Sequence, residues 1–170
     1  ANRIPRGKRY ARNGSVVSIA VADHQVAASV QGRRITPYRV KVLTTQLSSK
    51  EQSQIISLVK HSPYYLAQLE TGMLPPELEA DCLDMDIKLF PASWKDLGMH
   101  CSCPDWAVPC KHLAAVIYMI ANEIDKDPFL VFRLHGLNLI KGVYGDDLPE
   151  QKRIPSLESL TEPDAVESEL

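Results

Sequence analysis

From Gly14 onward, apolar and polar positions alternate with a period of two, as they do in strands with one face buried. Val17, Ile19 and Val21 predict a first strand, and Asp23-His24-Gln25 a turn. Val26, Ala28 and Val30 predict a second strand, ended by Gly32, and Tyr38, Val40 and Val42 a third. Arg39 and Lys41 fall on the opposite face of that third strand, beside Arg33 and Arg34 from the preceding turn. The expected result is a three-stranded antiparallel meander over 14–46 whose wet face is basic.

The period then changes. Ser48-Ser49-Lys50-Glu51 has capping-box spacing ahead of Ile55, Ile56 and Val59, which predicts a helix. Ser62-Pro63 opens a second helix through Tyr65, Leu66 and Leu69, stopped by Gly72, and Pro75-Pro76 opens a third with Leu78 and Cys82. Ile87 and Leu89 suggest a brief strand, and Leu97, Met99 and Cys101 another. Leu113, Val116, Ile117, Ile120 and Ile124 form a single apolar stripe at helical spacing. Asp127-Pro128 caps a further helix through Phe129, Leu130 and Leu134, closed by Gly136. Residues 47–96 read as a helical connector, and 97–144 as a strand–helix unit with following helices.

Composition adds little by itself. Apolar residues make up 45% of the 170 and charged residues 24%, which suits a soluble chain with a real core. The formal charge of −2 conceals a polar arrangement. Residues 1–60 hold 11 Lys/Arg against 2 Asp/Glu, whereas residues 144–170 hold 2 against 8. The head, with Arg3, Arg6, Lys8, Arg9 and Arg12 and no acid, reads as a basic arm over 1–13, mobile and solvated in its first half, that suits an anionic partner. The tail over 145–170, with Pro149, Pro155 and Pro163, reads as extended and acidic. No apolar run approaches the roughly 20 residues of a membrane span, and no secretory signal is visible. A reducing, cytoplasmic location is expected, nucleoid association included. The chain begins without Met, which leaves room for a leader or upstream segment.

The chemistry concentrates at Cys101-Ser102-Cys103 and Cys110-Lys111-His112, a C-x-C-x6-C-x-H array. Residues i and i+2 of a strand face the same way, so Cys101 and Cys103 can reach one ion. Cys110 and His112 fall at the start of the Leu113 helix, where a non-helical start lets them converge and the helix N-terminus favours a thiolate. Three sulfurs and one imidazole are a tetrahedral zinc set with no open position, so one structural Zn²⁺ is expected, coupled to the folding of 97–125. His100 could replace His112, but strand alternation turns it away. Cys82 reads as a buried thiol, and Glu77, Glu79, Asp81, Asp84 and Asp86 as a solvated helix face rather than a calcium loop. Trp106, in the turn between the ligand pairs, either covers the metal or stacks on a base; cover is the preferred reading. No phosphate-cradling glycine loop, Ser/His/Asp set or catalytic carboxylate pair stands out, so no enzyme is expected.

At Cys101-Ser-Cys-Pro-Asp-Trp-Ala-Val-Pro-Cys-Lys-His112 the sequence resembles a SWIM zinc finger. Arg6-Gly7, Tyr10-Ala11-Arg12, Gln31-Gly32, Pro37-Tyr38-Arg39-Val40 and Asp127-Pro128-Phe129-Leu130 extend the resemblance, to stand-alone bacterial SWIM proteins, over about residues 6–136. Similar proteins usually carry a Trp-rich segment before the Arg-Gly stretch, and the acidic tail matches no motif of theirs. The resemblance implies a strand-then-helix metal fold. It also implies an accessory role beside Swi/Snf-type helicase-like ATPases or RNA polymerase-associated transcription machinery, with DNA or protein as ligand.

The expected architecture is therefore α+β: an N-terminal three-stranded antiparallel sheet, connecting helices, and a zinc-stapled strand–helix unit. The expected function is non-enzymatic nucleic-acid binding, with DNA contacted mainly at phosphates by Arg6, Lys8, Arg9, Arg12, Arg33, Arg34, Arg39 and Lys41, and with Trp106 and Lys111 as further contacts. The alternative is a protein-interaction adaptor whose zinc is purely architectural and which makes no direct nucleic-acid contact.

Overall fold

The computed structural model describes residues 3–146, so the expected acidic tail lies outside the described residues from 147 onward. The meander forms as β1 (Val16–Ala22), β2 (Gln25–Val30) and β3 (Tyr38–Leu43), with Asp23 in the left-handed region (φ 52°) making the first turn tight. A fourth strand, β4 (Gly98–Cys101), pairs antiparallel with β3 in the order β1-β2-β3-β4. The sheet thus has four strands, not three. Its last strand comes from the metal unit, through a pairing that local alternation cannot reveal. Val40 and Val42 turn inward and Arg39 and Lys41 outward, so one face remains wet.

The basic arm is not a mobile tail. It forms helix α1 (Arg3–Arg12), which lies on α5 (Lys111–Lys126). The reason is steric: Gly7 is buried, and a Cβ built there would sit 2.5 Å from the Cβ of Ala114. At 100° per residue Gly7, Tyr10 and Ala11 make the inward face. Arg3 falls between Gly7 and Tyr10 on the same side, Arg6 on the flank next to it, and Lys8 and Arg12 on the other flank.

Two apolar clusters support these elements. The inner sheet face (Val16, Ile19, Val26, Val40) closes over α5 through Leu113, Val116 and Ile120. The second cluster gathers α2 (Ser49–Lys60), α3 (Pro63–Glu70), α4 (Pro76–Asp84), α6 (Phe129–Arg133) and α7 (Leu139–Tyr144) around Ile55, Leu69, Leu78 and Phe132. Ser48 and Glu51 form the expected capping box of α2, Ser62 caps α3, and Cys82 is fully buried. Ile87 and Leu89 are buried as expected of apolar residues, yet they form no strand. The Leu89 carbonyl is instead held by His135 Nε2 at 2.9 Å. Helix α7 follows the Asn138 cap and had no counterpart in the predicted elements. No helix among the described residues is long and apolar enough to cross a membrane.

Candidate metal centre

Each ligand of the C-x-C-x6-C-x-H array is positioned by a different local device. Cys101 ends β4 directly opposite Val40, and Ser102 continues the ladder by exchanging bonds with Arg39: Ser102 N–H to the Arg39 carbonyl and Arg39 N–H to Ser102 Oγ, both 2.9 Å. The chain then turns, so Cys103 reaches the site from just beyond the strand rather than from within it. Asp105 stiffens the turn by accepting from the Ala107 N–H at 3.2 Å. Cys110 is the N-cap of α5: its backbone is extended, and its Sγ accepts from the Leu113 N–H at 3.5 Å. His112 lies in the first turn of the helix, and because Cys110 sits outside the helical geometry the two side chains converge.

The four ligand atoms lie within 4.8 Å of one another. His112 Nδ1 is 3.9 Å from both Cys101 Sγ and Cys110 Sγ. With Zn–S near 2.3 Å and Zn–N near 2.0 Å, a tetrahedral centre needs ligand separations of roughly 3.5–3.8 Å, so the donor set fits one Zn²⁺ with little adjustment. Cys110 and His112 are buried and Cys101 and Cys103 half-buried, so the site is largely closed to water.

Hydrogen bonds within the cluster rank the thiols. Cys101, then His112, the Leu113 N–H and Cys103 stabilise the Cys110 thiolate and push its pKa down to about 4. The bond to Cys110, with burial, raises Cys101, and burial raises Cys103. Hydrogen bonds from its neighbours thus favour the charged form at Cys110, and the charge of a bound cation would favour it at all three thiols.

The imidazole is oriented by rings. Tyr38 lies tilted across it at 4.5 Å between centroids, and Tyr10 meets it edge-on at 5.6 Å. With Nδ1 turned to the sulfurs, Nε2 is buried and has no hydrogen-bond partner among the described residues. Gly32 leaves room for this stack, since a Cβ there would sit 2.5 Å from Tyr38 Cε2 and 3.2 Å from His112 Nε2.

Around the centre, the predicted contact residues separate. Arg6 and Lys111 line one cleft with Arg3 and Tyr38, and Arg34 lies over the Tyr38 ring at 5.7 Å. Lys8 and Arg12 lie over Tyr118, whose hydroxyl accepts from Arg12 at 3.0 Å. Arg9 points outward from α1, Arg33 is exposed in the loop before β3, and Arg39 and Lys41 stand on the open face of the sheet. Trp106 does not cover the metal: it is 88% exposed, with the Arg3 guanidinium 5.6 Å from its ring. His100 is exposed on the outer face, as alternation predicted. The second tier of the site (Tyr10, Tyr38, Gly32 and the Arg3–Asp105 pair at 3.2 Å) was not picked out from the sequence as part of the centre. Tyr10 and Tyr38 sit more than 60 residues from the ligands, and the sole local signal was a glycine before an aromatic strand start.

Comparison with known proteins agrees with this geometry. The SWIM zinc finger family model matches residues 93–121, which hold all four ligands. The chain is 38% identical over 135 residues to Uncharacterized protein Rv2102 of Mycobacterium tuberculosis, covering 79% of this chain and 49% of that protein. It therefore spans about half the length of this relative. No solved structure matches the chain. Residues 93–121 are thus a SWIM zinc finger, with Cys101, Cys103, Cys110 and His112 as its zinc ligands.

Proposed function

We propose that this chain is a non-enzymatic accessory module that binds nucleic acid, with the zinc finger holding the binding helix in place. One observation carries the reading. Arg6, Lys8, Arg9 and Arg12 on α1, Lys111 at the start of α5 and Arg34 in the loop before β3 have no carboxylate partner among the described residues. Unpaired cations held together on rigid helices repel one another, a cost that is recovered when phosphates displace their counterions. Arg33, Arg39 and Lys41 extend the positive surface towards the sheet. Work beside a Swi/Snf-type ATPase or RNA polymerase-associated machinery is part of the same proposal and rests on the resemblance of the finger to those companions.

The test is titration of zinc-loaded protein against labelled DNA at increasing salt. Binding at low salt that weakens with a log–log slope of several units supports the reading. Absence of binding at low salt, or affinity indifferent to salt, overturns it. Capture of an acidic protein with no nucleic-acid affinity would favour the adaptor reading instead.

A further inference from the structure

The cleft beside the zinc centre differs in kind from the rest of the basic surface. It has a volume of about 360 Å³ and is lined by Arg3, Arg6, Lys111 and Tyr38, by Pro104 and Asp105 from the metal turn, and by the zinc ligands Cys103 and His112, so it opens onto the metal site itself. Trp106, next to Asp105 in the same turn, is almost fully solvated. One face of that indole is backed by the Arg3 guanidinium, itself fixed by two bonds to the Asp105 carboxylate at 3.2 and 3.3 Å. A large aromatic ring pinned at a loop tip and left in water is costly unless something covers it.

We infer that this cleft and Trp106 together form a subsite for single-stranded nucleic acid, one phosphate seated between Arg6 and Lys111 and the adjoining base stacked on the free face of Trp106. This inference rests on the nucleic-acid reading above and narrows it to one strand form. Charge balance supports the phosphate. Asp105 is taken up by Arg3, whereas Arg6, Lys111 and Arg34 beside Tyr38 face only the net charge of about −1 that three thiolates and Zn²⁺ leave. Ring exposure selects the strand form. Bases in a duplex are stacked on one another and offer no free π-face, whereas each base of a single strand does.

Both halves of the subsite depend on the metal. Lys111 lies between the ligands Cys110 and His112, and Trp106 sits in the turn between the ligand pairs. Its Nζ is also held over the Tyr10 ring at 5.1 Å, so α1 and the finger fix the cation jointly.

The experiment uses the full zinc-loaded chain and three fluorescent probes of equal length: oligo-dT, oligo-U and a mixed-sequence duplex. Tighter binding of the single strands than of the duplex is expected. Trp106→Ala should weaken single-strand binding roughly 5- to 100-fold, the range of one lost base stack, with duplex binding unchanged. Arg6→Gln and Lys111→Gln should each lower the salt slope for the single strands by about one. Zinc stoichiometry and melting temperature check that each variant is folded, and a Trp94→Phe background isolates Trp106 emission, which stacking should quench. Comparison of oligo-dT with oligo-U tells DNA from RNA as the source of the strand. Duplex binding equal to or tighter than single-strand binding, or no effect of Trp106→Ala, overturns this inference and leaves the broader reading standing. Failure of all three probes overturns both.

Discussion

Cys101 lies directly across from Val40 in the β3–β4 ladder, so the first zinc ligand is also the final residue of the sheet. Val40 is 1% exposed and belongs to the core between sheet and α5, which ties the metal to the main apolar cluster. Cys110→Ser should therefore do more than empty a surface knuckle. Zinc content should fall from one per chain to near zero, and stability should drop by several kcal/mol, since structural zinc contributes directly to folding. Plasma emission spectroscopy and thermal melts measure these effects. Hydrogen exchange should report loss of protection at 98–101 and at the partner strand.

Gly7→Ala tests the seat of α1. In an exposed helix this change would stabilise by roughly 1 kcal/mol. Here the new methyl meets Ala114 Cβ at 2.5 Å and helix backbone at 3.0 Å, neither of which can step aside. A net loss of about 1–3 kcal/mol is expected in chemical denaturation, as for overpacked cores. The double variant Gly7→Ala/Ala114→Gly should recover part of it.

That contact also shows why some of the fold was readable and some was not. Alternation in β1 to β3, the Ser48 and Ser62 caps and the Leu113 stripe are local codes, and each produced the expected element, except that a bulge between Val16 and Ser18 buries Val16 and turns the expected inward residue Val17 out to 49% exposure. The ligand set was readable for the same reason, since four chemically special residues fall within one short stretch. Helix α1 carries no acid in its first turn and a glycine at its centre, and its inward face makes sense only against Ala114, so locally it resembles a solvated arm. Ile87 and Leu89 alternate like a strand, but they pack in the helical cluster and the Leu89 carbonyl bonds His135 rather than a sheet neighbour. Trp106 was expected to cover the metal because it lies between the ligand pairs, whereas the turn projects it into solvent.

Gly32→Ala should loosen the metal without touching a ligand. The added methyl would press on Tyr38, which is stacked on His112 and cannot move without turning the imidazole. Affinity for zinc, read by chelator competition, should fall about 10-fold or more, in the range seen when outer-shell support is removed.

The capping box of α2 predicts a pH effect. The Ser48 hydroxyl and then its backbone N–H bond to the Glu51 carboxylate and hold its pKa below 4.5. A carboxyl depressed on folding stabilises the native state fully above its unfolded value, and that contribution disappears as pH falls through the lowered folded value. Carbon-detected NMR titration should place Glu51 below 4.5, and in Ser48→Ala the value should rise. The variant should lose about 1 kcal/mol at neutral pH, less in acid.

The four ligands also set an order of events. Cys101 and His112 are 11 positions apart, whereas Arg39 and Ser102 are 63 apart and Arg12 and Tyr118 are 106 apart. Closing the metal loop costs far less chain entropy than joining the strands or seating the basic helix. Zinc capture is therefore expected early in folding, fixing the start of α5 as the template on which β4 and then α1 assemble. Refolding with zinc present from the outset should be faster than refolding with zinc added late. Stopped-flow fluorescence would show it, and equal rates would place the metal last.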